Sequence, residues 1–265
     1  MELLKFWKLI WAFYRAKNPL HKLIIVWIWA PNLVDVDNLR NAYILTDAWY
    51  DVIVPDYYGF CRSEGKFTPM NSIRTFLDTK KFFSDWIATN VYTWENFKIS
   101  YKDFIFLGLS YGWGAALLLP KFDKTIKKIW VFYPITNYTS LGKYWGKEET
   151  VEDFLNSINL WFKKIYKWIN LPVWEKHFED KTNLIPLENI KYLKNTTLFL
   201  AHGTKDISIC YEKTKEFYEK LKKLNPQGNY CCNLYENLWH GKETMIPATI
   251  RSEERRVGKE CRSRW

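Results

Sequence analysis

A chain of 265 residues, 48% hydrophobic and 26% charged, can bury one substantial core, which predicts a single domain carrying an insertion. No run reaches the roughly 18 uninterrupted apolar residues of a membrane span, so no membrane partner is expected. The net charge of +10 would suggest nucleic acid if it were clustered, but the lysines are scattered and no nucleic-acid partner is expected.

Strand and helix patterns alternate along the chain, which predicts an α/β fold: a mostly parallel sheet with helices on both faces. Lys8 to Ala16 reads as an early strand, and Asn18-Pro19 marks a turn. Leu23 to Ile28 is a β-branched run suited to a buried strand, and Val36 to Trp49 has helical spacing. Asp51 to Val54 is a short strand ending at Pro55-Asp56, followed by a polar loop over Tyr57 to Lys66. Pro69 to Thr89 reads as one amphipathic helix whose buried face includes Ile73, Phe76, Leu77, Phe82 and Phe83.

Phe104 to Leu107 is an apolar strand running into Gly108-Leu109-Ser110-Tyr111-Gly112, after which Gly114 to Leu119 opens a helix. Lys128 to Tyr133 is the next strand. Pro134 to Asn195 is too long for a bare loop in a compact domain, and its aromatic helical patterns, such as Phe154 to Ile169, predict a small helical cap over about 135–195. Thr196 to Ala201 is a strand, Tyr211 to Leu224 a helix, and Tyr230 to Leu234 the last strand.

The start of the chain breaks its apolar stretch with charge and has no small-residue cleavage site, so no secretory signal and a cytoplasmic location are expected. Cys61, Cys210, Cys231, Cys232 and Cys261 make no CxxC pair and no metal-ligand spacing. They read as thiols of a reducing compartment.

Two features look like marks of sequencing. The last fifteen residues, RSEERRVGKECRSRW from Arg251 to Trp265, match one reading frame of a widely used sequencing adapter. They carry +3 of the net charge and are set aside, so the domain is drawn over 1–250. The chain also holds 15 Trp against 11 Gly, where glycine near 7% is usual. Some genetic codes read UGA as glycine and others as tryptophan. Trp49, Trp113 and Trp239, where resemblance to a known family implies glycine, are therefore candidates for misread glycine, to be tested by whether their codons are TGA or TGG.

The segment Gly108 to Gly112 fits G-x-S-x-G. The apolar strand before it and the small-residue helix after it supply the context that gives this pattern meaning. Such a turn lifts Ser110 Oγ clear of the sheet and aims the Tyr111 N–H at a developing oxyanion. A neutral serine needs a base, and the chain has four histidines. His21 lies in a turn before the Leu23 strand, His177 falls in the cap and reads as solvated, and His202 ends a strand as a packed turn residue. His240, after the last strand, remains as the base. The acid should follow a strand between serine and histidine, and Asp206 does so. Asp123, Asp153 and Asp180 compete from helical or cap segments.

This order of Ser110, Asp206 and His240 resembles the α/β-hydrolase family, most closely prolyl-oligopeptidase-type peptidase catalytic domains and dienelactone-hydrolase-like esterases. The resemblance covers nearly all of residues 8–245. It includes Ala48 to Gly59, similar to the family segment "GYxVxxPDxRG", and Arg62-Ser63-Glu64-Gly65, which matches "RSxG" and reads as bracing beside the site. It implies an α/β-hydrolase fold and a serine hydrolase that cleaves a small-molecule ester or peptide through an acyl-enzyme, with no metal or organic cofactor. The family's second oxyanion donor comes from a loop written "HGG"; here that loop is Trp27 to Asn32. Pro31 lacks an N–H, so Ala30 is the candidate. An acyltransferase or thioesterase with the same triad, or an inactive binding protein on the same fold, are the alternatives.

Overall fold

The computed structural model describes residues 1–27, 36–109, 112–140, 143–144, 147–148, 156, 160, 165–240, 246 and 249–250; for 36–41, 112–113, 140, 143–144 and 147–148 it describes the backbone alone. The adapter-like tail lies outside the described residues.

The chain opens with a hairpin. Strand β1 (Glu2–Phe6) pairs antiparallel with β2 (Leu9–Tyr14), and β3 (Lys22–Trp27) follows. Helix α1 (Val36–Asp47) leads to β4 (Asp51–Pro55) and then α2 (Pro69–Ser84). Strands β5 (Trp86–Asn90) and β6 (Asn96–Ile99) form a second hairpin before β7 (Asp103–Leu109), α3 (Gly112–Phe122) and β8 (Lys128–Phe132). A short ladder of β9 (Lys143–Tyr144) and β10 (Lys147–Glu148), helix α4 (Leu171–Phe178), β11 (Thr197–Gly203), α5 (Tyr211–Leu224) and β12 (Tyr230–Tyr235) complete the order.

Ten of these strands form one sheet in the order β12-β11-β8-β7-β3-β4-β2-β1-β5-β6. From β12 to β4 every neighbouring pair is parallel, and β2, β1, β5 and β6 extend the sheet by antiparallel pairing. Apart from β12 at the sheet edge, the parallel strands are buried along nearly their whole length, as in Leu23 to Trp27 and Ile105 to Leu109. Continuous apolar runs are what a strand covered on both faces requires.

Two expectations need correction. The helix drawn over Pro69 to Thr89 ends at Ser84. Its start is well specified, since Thr68 Oγ1 accepts from the Asn71 N–H and Pro69 stands at the first turn. Its end is set elsewhere: Trp86 to Asn90 is drawn into the sheet between β1 and β6, with Leu4 opposite Asn90. Phe82 and Phe83 still bury as expected, Phe82 stacking on Trp11 at 4.8 Å. The cap helix expected over Phe154 to Ile169 falls mostly outside the described residues; positions 156 and 160 are helical, but 165–169 carry no helix. Tyr166 bridges to Phe60 and packs on Phe60 and Phe67 at 4.7 and 4.5 Å. It is part of the core over the loop following β4.

That loop is braced as the motif Arg62 to Gly65 suggested. Arg62 grips the fully buried Asp56 with two side-chain bonds of 2.7 and 3.0 Å, and Ser63 Oγ donates to the Asp56 carbonyl. Among the described residues, no helix is long and apolar enough to cross a membrane.

Candidate active site

Parallel strands deliver their C-terminal ends to one edge of the sheet, where side chains from several loops can converge. Here β7 and β8 end in register, with Leu109 opposite Phe132, and Ala201 of β11 stands opposite the same Phe132. Gly203, which ends β11, stands opposite Tyr235, which ends β12. Trp27, the end of β3, is opposite Gly108.

Two loops at this edge are stitched together. Thr204 N donates to Tyr235 O, Lys205 N to Leu238 O, and Asn237 N to Thr204 Oγ1, at 3.0 to 3.1 Å. The first loop carries Asp206 and the second His240. Gly203 is required under this contact, because a Cβ there would meet the Leu238 carbonyl and come within 2.9 Å of the Trp239 oxygen.

Asp206 has a fully buried side chain. Its Oδ1 accepts from the backbone N–H groups of Ser208 and Ile209 at 2.8 and 2.9 Å. Its Oδ2 meets His240 Nδ1 at 2.7 Å and His202 Nε2 at 3.1 Å. Burial alone would raise the carboxyl, but the hydrogen bonds from His202 and His240 hold it well below the usual carboxylate range. An ionised acceptor at Oδ2 requires that Nδ1 of His240 carry the proton, which leaves the basic lone pair on Nε2. His240 is partly exposed, at 27% of its side chain. Its ring lies against Tyr133, centroids 4.3 Å apart and planes 29° from parallel.

Ser110, Tyr111 and Ala30, the candidate nucleophile and oxyanion donors, lie outside the described residues. Chain connectivity still constrains them. Strand β7 ends at Leu109 and α3 begins at Gly112, so Ser110 and Tyr111 are the two residues of sequence between them. Ala30 follows the end of β3 by three residues.

The remaining candidates separate clearly. His177 was expected to be solvated, yet it is 2% exposed. It packs among Tyr138, Trp174 and Phe178, and burial pushes its imidazole down to about 3. An apolar helix face closing over it is the physical reason. Asp123 pairs with Lys80 at 2.7 Å, and Asp180 accepts from the backbone of Tyr138 and Thr139. Asp153 lies outside the described residues. His202, next to last in β11, is fully buried, as a packed residue, but it also donates to Asp206. The i, i+4 spacing of His202 and Asp206 was the only sequence signal for that contact; for Tyr133 there was none.

Comparison with protein-family models gave no match, and comparison with curated proteins gave none either. Solved structures do match. The chain is similar to the α/β hydrolase GrgF from Penicillium sp. sh18 (TM-score 0.66, 13% identity, 94% of this chain and 92% of that one). It is similar to Est1E from Butyrivibrio proteoclasticus, solved with ferulic acid (TM-score 0.62, 16% identity, 95% and 96%). A monoacylglycerol lipase from Paleococcus ferrophilus also matches (TM-score 0.60, 12% identity, 93% and 98%).

Proposed function

On the premise that the chain has the α/β-hydrolase fold, we propose that it is a serine hydrolase cleaving a carboxylic ester or amide through Ser110, His240 and Asp206. The observation that carries this reading is the 2.7 Å bond from His240 to buried Asp206, at the sheet edge where β7 ends one residue before Ser110.

Each group has a defined task. Asp206, ionised and held by two backbone N–H groups, keeps the His240 tautomer and stabilises the imidazolium that forms. His240 Nε2 takes the Ser110 hydroxyl proton as Oγ attacks the substrate carbonyl carbon. The carbonyl oxygen becomes an oxyanion, for which the N–H groups of Tyr111 and Ala30 are the candidate donors. His240 then returns the proton to the leaving alcohol or amine, giving an acyl-enzyme. Water, deprotonated by the same imidazole, attacks the acyl carbon and frees Ser110.

Support for this class of bond comes from the similar structures, which include Est1E solved with ferulic acid, a monoacylglycerol lipase and a puromycin-hydrolyzing peptidase. A fluorophosphonate probe should label the wild-type protein and not Ser110→Ala, and a panel of nitrophenyl esters and nitroanilides should rank the substrates. Equal labelling of both proteins, or none, would overturn the reading.

A further inference from the structure

A single hydrogen bond fixes where an imidazole nitrogen lies, but it leaves the ring able to rotate about the bond axis. The 2.7 Å bond from His240 Nδ1 to Asp206 therefore does not by itself aim Nε2. A second restraint must act on the face of the ring. Tyr133 supplies one, with its ring stacked on His240 at 4.3 Å and 29°. The Tyr133 ring is itself held edge-on to His202, at 5.9 Å and 82°, and is 2% exposed.

The backbone of Tyr133 is unusual. It follows the last residue of β8 and has φ 55°, left-handed for a bulky aromatic residue. Its N–H donates to Ala201 O at 2.7 Å, which ties it to the strand carrying His202. A side chain held in an unfavourable backbone region, against the one partly exposed member of the Asp206 cluster, is the pattern expected where surrounding structure enforces a functional placement.

We propose that Tyr133 is a positioning residue for His240, holding the plane of the imidazole so that Nε2 stays aligned for proton transfer. This rests on the triad reading above. The aromatic face is the active part, so Tyr133→Phe should retain activity, whereas Tyr133→Leu should lower kcat about 10- to 100-fold, as expected of a misoriented base, with KM little changed. Independently of catalysis, stacking should shift the His240 ring protons upfield in NMR spectra of wild type and Tyr133→Phe, and Tyr133→Leu should lose that shift. Unchanged kcat in a folded Tyr133→Leu protein, or equal losses in the Phe and Leu variants, would overturn the proposal. If wild type hydrolyses nothing, the triad reading fails instead, and the ring shift still decides whether Tyr133 holds His240.

A different observation concerns the tryptophans. Among the non-glycine residues with left-handed backbone are Trp7, Trp49, Trp94 and Trp168, with φ 51°, 68°, 61° and 55°. All four are more than half exposed. Trp49 closes helix α1, with Trp49 N donating to Thr46 O and Tyr50 N to Leu45 O; this is the helix-ending motif whose left-handed position favours glycine. Trp7 is the first residue of the two-residue turn between Phe6 and Leu9, where positive φ also favours glycine. Trp94 lies in the connection between β5 and β6, its N–H donating to Asn90 O.

Two buried tryptophans behave differently: Trp11 Nε1 donates to Thr79 Oγ1 and Trp174 Nε1 to Phe67 O. We infer that positions 7, 49, 94 and 168 are glycine in the natural protein, encoded by UGA, whereas 11 and 174 are true tryptophan. Trp239 is not in the left-handed group, and the side chain of Trp113 lies outside the described residues. The gene should read TGA at the first four codons and TGG at the last two, and replacing all four by glycine should raise the melting temperature by about 5 °C or more. TGG at the four codons, or no rise in melting temperature, would overturn it.

Discussion

His202 and His240 share one acceptor, their ring nitrogens standing 3.1 and 2.7 Å from Oδ2 of Asp206. His202 Nε2 also lies 3.0 Å from the Ile209 carbonyl. A carbonyl can only accept, so Nε2 carries the hydrogen, and Nδ1 pairs with the Thr214 hydroxyl at 2.6 Å. His202 thus fixes the acid while His240 works against it. His202→Leu should cost about 1–3 kcal/mol of stability, since it leaves buried partners without a bond, and lower kcat by about tenfold. Asp206→Asn should lower kcat by about 10⁴-fold through the wrong His240 tautomer. Denaturant unfolding and steady-state kinetics would check both; equal kinetic losses would contradict the division of roles.

Gly203 controls the approach of the two loops. In Gly203→Ala the new Cβ meets backbone rather than a flexible side chain, so the segment carrying His240 has to shift. A displacement near 1 Å is enough to cost about 100-fold in rate. The expected result is a large fall in kcat with the fold retained, read from kinetics beside circular dichroism. An active Gly203→Ala enzyme would show that the loop contact tolerates movement.

His177 makes stability depend on pH. Its folded value is lowered to about 3 by burial, whereas the unfolded chain takes up a proton near pH 6.5. The contribution is therefore complete above about pH 6.5 and falls as the pH drops toward 3, by about 1.4 kcal/mol per unit. Between pH 6.5 and 5 the wild type should lose about 2 kcal/mol more than His177→Phe. Urea unfolding at the two pH values would measure the difference, and parallel losses would rule out His177 as the source.

Arg62 neutralises the buried carboxylate of Asp56 in a two-pronged contact. Arg62→Ala leaves that charge without its main partner and should destabilise the protein by about 2–4 kcal/mol. Arg62→Lys keeps the charge but not the planar fork, and should recover only part of the loss. Because the pair braces the loop after β4, activity per folded molecule should change little. Thermal melts and active-site titration would separate the two effects.

Much of the fold was legible because its signals are local. The β-branched run at Leu23, the apolar run into Ser110 and the helical period of Tyr211 to Leu224 each lie within a dozen or so consecutive residues. The structure sets β3, β7 and α5 there, within about two residues at each end and at the same ends for α5. The strand–turn–helix setting of Ser110 is of this kind, and so is the order of serine, acid and histidine along the chain.

What tertiary structure decided is whatever depends on distant partners. Trp86 to Asn90 has aromatic and β-branched residues that suit the end of a helix or a strand. Pairing with β6 on one side and with β1, more than 80 positions earlier, on the other makes it a strand. His177 looked polar enough for solvent until Tyr138, Trp174 and Phe178 closed around it. Sequence order could nominate Asp206 and His240, 34 positions apart. Their shared oxygen with His202 and the ring of Tyr133 exist only because parallel strands in register bring their ends to one edge of the sheet.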